Sequence, residues 1–299
     1  KELVKAQLPS AAILAEPMPR NTAPCVAFAA AKVLNEIGDV PMICVPADHV
    51  ISGEDEIRKI YRDAVELATH RDVLVTIGIK PDRPETGYGY ILQGEALTDE
   101  HGKDASAYKV ECFVEKPDVE TARGYLQSGN YFWNSGMFIW RPSVILKAVE
   151  EHLPAMAEAF SEISKCFGEE LEQEQISEIF SDITPISVDD GVMEKAENVV
   201  MISGHTFEWS DVGSWTSWAE FLEQSQASEN NNTAQGDAIF VNSENCALIG
   251  EQKMVAAVGL KDIIIVDTKD ALLVCHRDKA QEVKKIVEHL SREGRDDLL

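Results

Sequence analysis

A short unbroken apolar run at residues 41–46 (PMICVP) is followed by an amphipathic pattern over residues 54–69 and a second apolar run at residues 73–79. This succession limits what the chain can fold into. A strand that is apolar on both sides must be covered on both faces, and a helix with a single apolar stripe is what covers it. Upstream, residues 11–14 read as another strand, and residues 22–37 as an alanine-rich helix that Gly38 stops. The alternation predicts an α/β fold: a Rossmann-like, mostly parallel sheet flanked by helices.

The middle of the chain is less regular. Residues 88–92, 107–114 and 137–140 read as strands, residues 142–174 as a long acidic helical stretch, and residues 199–203 and 206–209 as the last strands of the large domain. A helix over residues 214–225 leads to a polar run, Ser228 to Thr233, with linker character. Short β-rich runs then cover residues 238–241, 246–249, 255–258, 263–266 and 272–274, before a charged helix at residues 279–290. Two domains are expected in a chain of 299 residues, the first over residues 1–227 and a small β-rich C-terminal one with a terminal helix over residues 228–299.

Fifty-two acidic residues against 27 basic ones leave a net charge of −25. Such a surface repels a phosphate backbone, so no nucleic-acid partner is expected, and any phosphate must meet local cations, backbone amides or a metal ion. No apolar run approaches the roughly 20 residues of a membrane span, so no membrane association is expected. The six cysteines are scattered without metal-ligand spacing, which suggests free thiols in a reducing cytoplasm.

Ligands of open α/β sheets bind where strands end, so polar residues at those places are the candidates. Asp48, directly after the 41–46 run, suits a hard divalent cation and equally suits capping of the next helix. Asp211, in WSDVGSW, has the same two readings, and the two acids could share one Mg²⁺. His49 is read as serving structure or facing solvent rather than catalysis. Arg20, Asn21 and Thr22 could read a base edge or simply cap the alanine-rich helix. Gly87, in TGYGY, would let a ligand approach the backbone, although a plain turn is the commoner meaning. Glu115 and Lys116 pair a carboxylate for hydroxyls with an ammonium for phosphate, or form a surface ion pair. Asn134, an amide among large apolar residues, needs partners that a sugar or the backbone could supply.

Together the segments EPMPRNTAP, VPADH, TGYGYI, VEKPD, YFWNSGMFIW and WSDVGSW, in that order, resemble the mannose-1-phosphate guanylyltransferases, and GLKDIIIVDTKDALLV resembles the start of their C-terminal β segment. The match runs from about Glu16 to about Leu290. The resemblance implies a nucleotidyltransferase that moves GMP from GTP to mannose 1-phosphate, giving GDP-mannose and pyrophosphate by Mg²⁺-assisted in-line displacement. It makes Asp48, Lys116 and Asp211 catalytic, with Asp48 and Asp211 on the metal. It puts Gly87, Glu115 and Asn134 on the sugar, Arg20, Asn21 and Thr22 on the guanine side, and Lys195, in MEK, near the phosphates. It also implies a homodimer joined through the β-rich region. Two departures stand out. Asp190 occupies a position where tyrosine is common, and the family's opening glycine-rich loop has no counterpart before Glu16, which suggests a numbering that starts partway into a longer protein. The same signals fit a transferase for another hexose 1-phosphate and nucleotide, or an inactive sugar-nucleotide-binding homologue.

Overall fold

A computed structural model describes residues 10–98, 104–168, 172–204, 207–225, 229–250 and 253–298. They form two compact units, Lys1–Ala47 with Ser52–Glu208, and Asp48–Ile51 with Trp209–Leu299.

The first unit is built on a six-stranded sheet. Its strands are β1 (Met42–Cys44), β3 (Leu74–Ile79), β4 (Tyr90–Thr98), β5 (Asp104–Val114), β6 (Tyr131–Trp140) and β7 (Val199–Ser203), in the order β1-β6-β3-β7-β5-β4. The sheet is mixed: β3 and β7 are parallel neighbours, while β6 lies antiparallel to β1, β3 and β4, and β5 antiparallel to β7 and β4. The expectation of a mostly parallel sheet is corrected in that respect. The rhythm of strand and helix holds from β1 through the following helix to β3, but β5 and β6, returning in the opposite direction, carry no pattern that distinguishes them.

Helices α1 (Thr22–Glu36), α2 (Glu54–His70), α3 (Val119–Ser128), α4 (Pro142–His152), α5 (Pro154–Cys166) and α6 (Glu172–Ser181) flank this sheet. The small side chains of Ala27, Ala30 and Ala31 bring α1 close to its neighbours. Phe28 projects from α1 onto Phe160, Phe167 and Phe180, with ring centroids 5.9–6.5 Å apart, and truncating it should cost roughly 3–5 kcal/mol. The acids Glu54, Asp55 and Glu56 open α2, where they favour the positive end of the helix dipole.

Several boundaries differ from the sequence reading. Residues 11–14 form no strand and have no ladder partner among the described residues; Leu14 stays exposed. The stretch from 142 to 174 breaks at Leu153 (φ −135°, ψ 58°), because a residue preceding proline is driven out of the helical region and Pro154 follows. Strand β6 begins at Tyr131 rather than 137 and takes a bulge near Gly136, where Thr76 faces Phe138 but Gly78 faces Asn134. Asn134 therefore stands within a strand. The aromatic run before it, Tyr131, Phe132 and Trp133, is apolar on both faces and lacks a clean alternation.

The second unit stacks parallel strands. Strands β9 (Thr233–Gln235), β11 (Ala247–Gly250) and β13 (Ile263–Asp267) align in parallel, and β14 (Leu272–His276) closes the edge antiparallel. A second parallel ribbon pairs β10 (Ala238–Val241) with β12 (Val255–Val258). The corners are turned by Asn242, Asn245 and Asp262, all at positive φ, a conformation short polar side chains tolerate. Asn245 Nδ2 also donates to Asp262 Oδ1 at 2.5 Å, joining one corner to the next. Helix α7 (Trp215–Ser225) buries Ala219 with Ala247, Ile264 and Val266, and α8 (Val283–Arg292) follows the last strand. A ribbon of β2 (Val50–Ser52) and β8 (Glu208–Ser210) completes the architecture. Among the described residues no helix is long and apolar enough to cross a membrane, and the six cysteines are free.

Candidate active site

In the first unit, β5 ends at Val114 and the chain turns sharply at Lys116, whose φ of 45° is unusual for a residue with a side chain. The turn folds the ammonium back, so that Lys116 Nζ lies 2.5 Å from Glu115 Oε1. That hydrogen bond holds the Lys116 pKa up, aided by the charges of Glu115, Asp189 and Asp190. The lysine thus stays cationic beside an exposed approach, as a phosphate ligand would need.

Asn134 lies across from this turn. Thr76 Oγ1, on β3, donates to Asn134 Oδ1 at 3.0 Å, and Asn134 Nδ2 donates to Asp189 Oδ1 at 2.8 Å. Asp189 opens a π-helical turn, Asp189–Met193, a local widening of the helix that is often found at functional sites. Burial pushes its carboxyl up to about 6, Glu115 adds to the rise by charge repulsion, and the Asn134 bond opposes it. Glu194, just beyond the π turn, is also pushed up by burial and by Asp190 and Glu115, against the pull of Lys195. Glu115, Lys116, Asn134, Asp189 and Glu194 thus form one wall of carboxylates and an amide, with an ammonium beside them.

Gly89 makes the wall possible. A Cβ there would stand 2.6 Å from Glu115 Oε2 and 3.5 Å from Asn134 Cβ, so only glycine leaves the carboxylate in place. Gly87 is tied differently. Its N–H and that of Thr86 both donate to Glu85 Oε1 at 3.0 Å, while Tyr90 Oη donates to the Glu85 carbonyl at 2.8 Å. In this arrangement the Gly87 amide serves the protein's own carboxylate.

The expected base-side residues also have protein partners. Asn21 caps α1, its side chain accepting from Thr22 N at 2.8 Å; Thr22 Oγ1 accepts from Val188 N at 2.8 Å; and the Arg20 guanidinium donates to the Ser181 carbonyl. These bonds tether the start of α1 to the approach to the π turn. Lys195 follows that turn and is exposed. Asp190 is held by Ser187, which donates to its carboxylate at 2.7 Å.

Asp48 and Asp211 belong to the second unit. Trp209 Nε1 donates to His49 Nδ1 at 3.1 Å, and the two rings meet edge to face at 5.3 Å. Burial lowers the His49 pKa, and the charges of Asp48 and Asp211 both oppose that shift, which places both carboxylates near one neutral imidazole. Asp211 Oδ1 accepts from Gly213 N at 3.1 Å, over a backbone strained at Val212 (φ 48°). A Cβ at Gly213 would meet Asp211 Oδ2 at 2.6 Å. The two carboxylates offer the hard oxygen donors that a divalent cation takes. Among the described residues no group of three or more histidine, cysteine or acidic side chains is arranged around a single point, so the remaining ligands would be water or phosphate oxygens.

Asp189, Glu194 and Thr76 were not singled out in the sequence. Asp189 is one residue from Asp190 and close to MEK, yet its partner Asn134 is 55 residues away, and no local pattern signals that pairing.

A mixed α/β sheet with this wall of carboxylates, an amide and an ammonium at the end of β5 places the chain in a class that its relatives name. The chain belongs to the nucleotidyl transferase family, whose pattern matches residues 4–228. Residues 236–290 match the MannoseP isomerase/GMP-like beta-helix domain. The chain is 41% identical over 287 residues to a mannose-1-phosphate guanylyltransferase of Klebsiella pneumoniae, covering 95% of this chain and 59% of that protein. It is 38% identical to the alginate biosynthesis protein AlgA of Pseudomonas putida, covering 99% and 59%. It therefore spans about three-fifths of the length of these relatives. A crystal structure from Thermus thermophilus, described as a mannose-1-phosphate geranyltransferase, superposes with a TM-score of 0.81 at 31% identity, over 97% of this chain and 81% of that one.

Proposed function

We propose that this chain transfers GMP from GTP to mannose 1-phosphate, releasing pyrophosphate and forming GDP-mannose. The observation that carries the reading is the wall of Glu115, Asn134 and Asp189 beside the cationic Lys116, in a chain whose curated relatives are named for this activity. A phosphate oxygen of the sugar phosphate attacks the α-phosphorus of GTP, and the bond to pyrophosphate breaks in line with it. A sugar phosphate is already a nucleophile, so positioning and charge neutralisation supply the catalysis.

In this reading Glu115, Asn134 and the Gly87 backbone bind sugar hydroxyls, Lys116 and Lys195 meet phosphate, and Arg20, Asn21 and Thr22 face the guanine. The Gly87 role requires Glu85 to release its amide. Asp48 and Asp211 hold Mg²⁺, which when bound offsets the phosphate charge. The catalytic residues fall within 1–227, a span that takes in Asp48–Ile51 and the start of Trp209–Leu299 from the second compact unit, and the β-rich domain covers residues 228–299. Free thiols support a cytoplasmic setting. A homodimer is supported by an apolar exposed face on the β10–β12 ribbon, where Ile239, Val241 and Val258 all face water and Val241 is in register with Val258.

Pyrophosphate release with GTP, UTP or ATP, each paired with mannose 1-phosphate or glucose 1-phosphate, tests the reading. Turnover should be fastest, by at least tenfold, with GTP and mannose 1-phosphate. Preference for another pair would overturn the substrates, and no release with any pair would overturn the activity.

A further inference from the structure

Both ends of the Asn134 amide are engaged by the protein. Thr76 Oγ1 lies 3.0 Å from Oδ1, the Gly136 N–H points at the same oxygen from 3.4 Å, and Nδ2 lies 2.8 Å from Asp189 Oδ1. A backbone N–H cannot accept and an ionised carboxylate cannot donate. Gly136 and Asp189 therefore decide between them which end of the amide is oxygen. With its oxygen turned to Thr76 and one N–H given to Asp189, Asn134 has a single N–H to offer elsewhere. On the other side of Gly89 stands Glu115: the glycine's missing Cβ would lie between Glu115 Oε2, at 2.6 Å, and Asn134 Cβ, at 3.5 Å. A hydroxyl is both an acceptor and a donor, and an N–H beside a carboxylate oxygen is its complement.

We propose that Asp189 is a positioning residue for sugar recognition: by accepting one N–H of Asn134 it directs the other at a single hydroxyl of the sugar phosphate, which in turn donates a hydrogen bond to Glu115. The inference rests on the sugar-phosphate reading above. It makes the Thr76–Asn134–Asp189 chain a specificity device, separate from the groups that meet phosphate. Without Asp189 only the long Gly136 N–H contact at 3.4 Å still favours one orientation, so the amide can turn its oxygen toward the hydroxyl, competing with Glu115 to accept the same hydrogen.

The test is steady-state kinetics of wild type, Asp189→Ala, Asp189→Asn and Thr76→Val, varying GTP and mannose 1-phosphate separately. Asp189→Ala should raise the KM for mannose 1-phosphate at least tenfold and leave the KM for GTP within twofold. Asp189→Asn can still accept from Asn134 through its amide oxygen and should recover most of that loss. Thr76→Val, nearly isosteric at a fully buried position, should show the same split and covers the case in which the alanine variant fails to fold. A panel of monodeoxy mannose 1-phosphates adds a direct readout: one deoxy position should weaken binding to wild type about tenfold and be nearly silent in Asp189→Ala. Equal rises in both KM values, no rise at all, or a deoxy penalty that persists in Asp189→Ala would overturn the proposal alone. A wild type with no mannose 1-phosphate turnover would overturn the functional reading and this inference with it.

Discussion

Trp209 Nε1 donates to His49 Nδ1 at 3.1 Å, a side-chain bond that, beside the β2–β8 pairing, links the segment that carries Asp48 to the segment that carries Asp211. The acceptor role leaves the His49 proton on Nε2, and burial keeps the ring neutral beside two carboxylates. Trp209→Phe retains most of the edge-to-face packing but removes the donor. The Mg²⁺ concentration for half-maximal activity should then rise about fivefold to tenfold, with maximal activity largely recovered at high Mg²⁺. An unchanged Mg²⁺ titration would mean that the bond does not set the spacing of the two acids.

Gly89 tests the proposed sugar contacts of Glu115 and Asn134 without removing either functional group. The Cβ of Gly89→Ala would meet Glu115 Oε2 at 2.6 Å and the Phe113 ring at 3.3 Å. The first clash is with the end of a flexible side chain, so Glu115 should swing away and stability should fall by only about 1 kcal/mol. The cost appears in recognition: the KM for mannose 1-phosphate should rise at least tenfold while the KM for GTP stays near wild type. A variant with wild-type kinetics would show that Glu115 does not contact the sugar.

How far these residues could be read in advance depended on what fixes them. The 73–79 run declares β3 because burial on both faces forces continuous apolarity. The equally apolar 41–46 run, expected to be covered on both faces, instead forms the edge strand β1 and leaves Ile43 and Val45 exposed. The VEKPD and FWNSGMF segments brought Glu115, Lys116 and Asn134 into view because their chemistry is carried by neighbours in sequence. Asp189 escaped because its meaning lies in a bond to Asn134 across the sheet. The direction of β6 escaped for a similar reason, since its ladder partners on β1, β3 and β4 are distant in sequence. The roles expected of Arg20, Asn21 and Thr22 met a different limit: the same donors that suit a base edge also suit α1 and the Ser181 to Val188 segment, and the protein uses them there.

Asp189 should also be visible in the pH dependence of stability. Its ordinary pKa is 3.8 and the folded protein raises it to about 6, through burial and the charges of Glu115 and Asp190. Lys116 supplies the opposing charge on that side. The folded state therefore binds the Asp189 proton more tightly than the unfolded chain does. Acidification from about pH 6 to 4 relieves a penalty on the ionised carboxylate that is fully present at pH 8, of order 3 kcal/mol. Asp189→Asn carries no such penalty. Its stability advantage over wild type should be largest near pH 8 and shrink by about 1–2 kcal/mol by pH 5, measured by urea denaturation at each pH. A difference that does not change with pH would show that Asp189 ionises normally.

Val212 holds a left-handed backbone conformation (φ 48°) that a β-branched residue adopts only under constraint, and it does so next to Asp211. The strain costs about 1–3 kcal/mol, whereas glycine at the same place loses roughly 0.5–1 kcal/mol through the greater freedom of its unfolded chain. Relief should win, so Val212→Gly should be more stable by about 1 kcal/mol and melt a few degrees higher. The same change frees the turn that aims Asp211, whose carboxylate accepts from the Gly213 N–H at 3.1 Å within that turn. The Mg²⁺ requirement should therefore rise while the melting temperature rises too. A purely structural role for the turn would move stability alone; a variant that is less stable and binds Mg²⁺ normally would place the constraint in side-chain packing by Val212 and remove the link between backbone strain and the cation site.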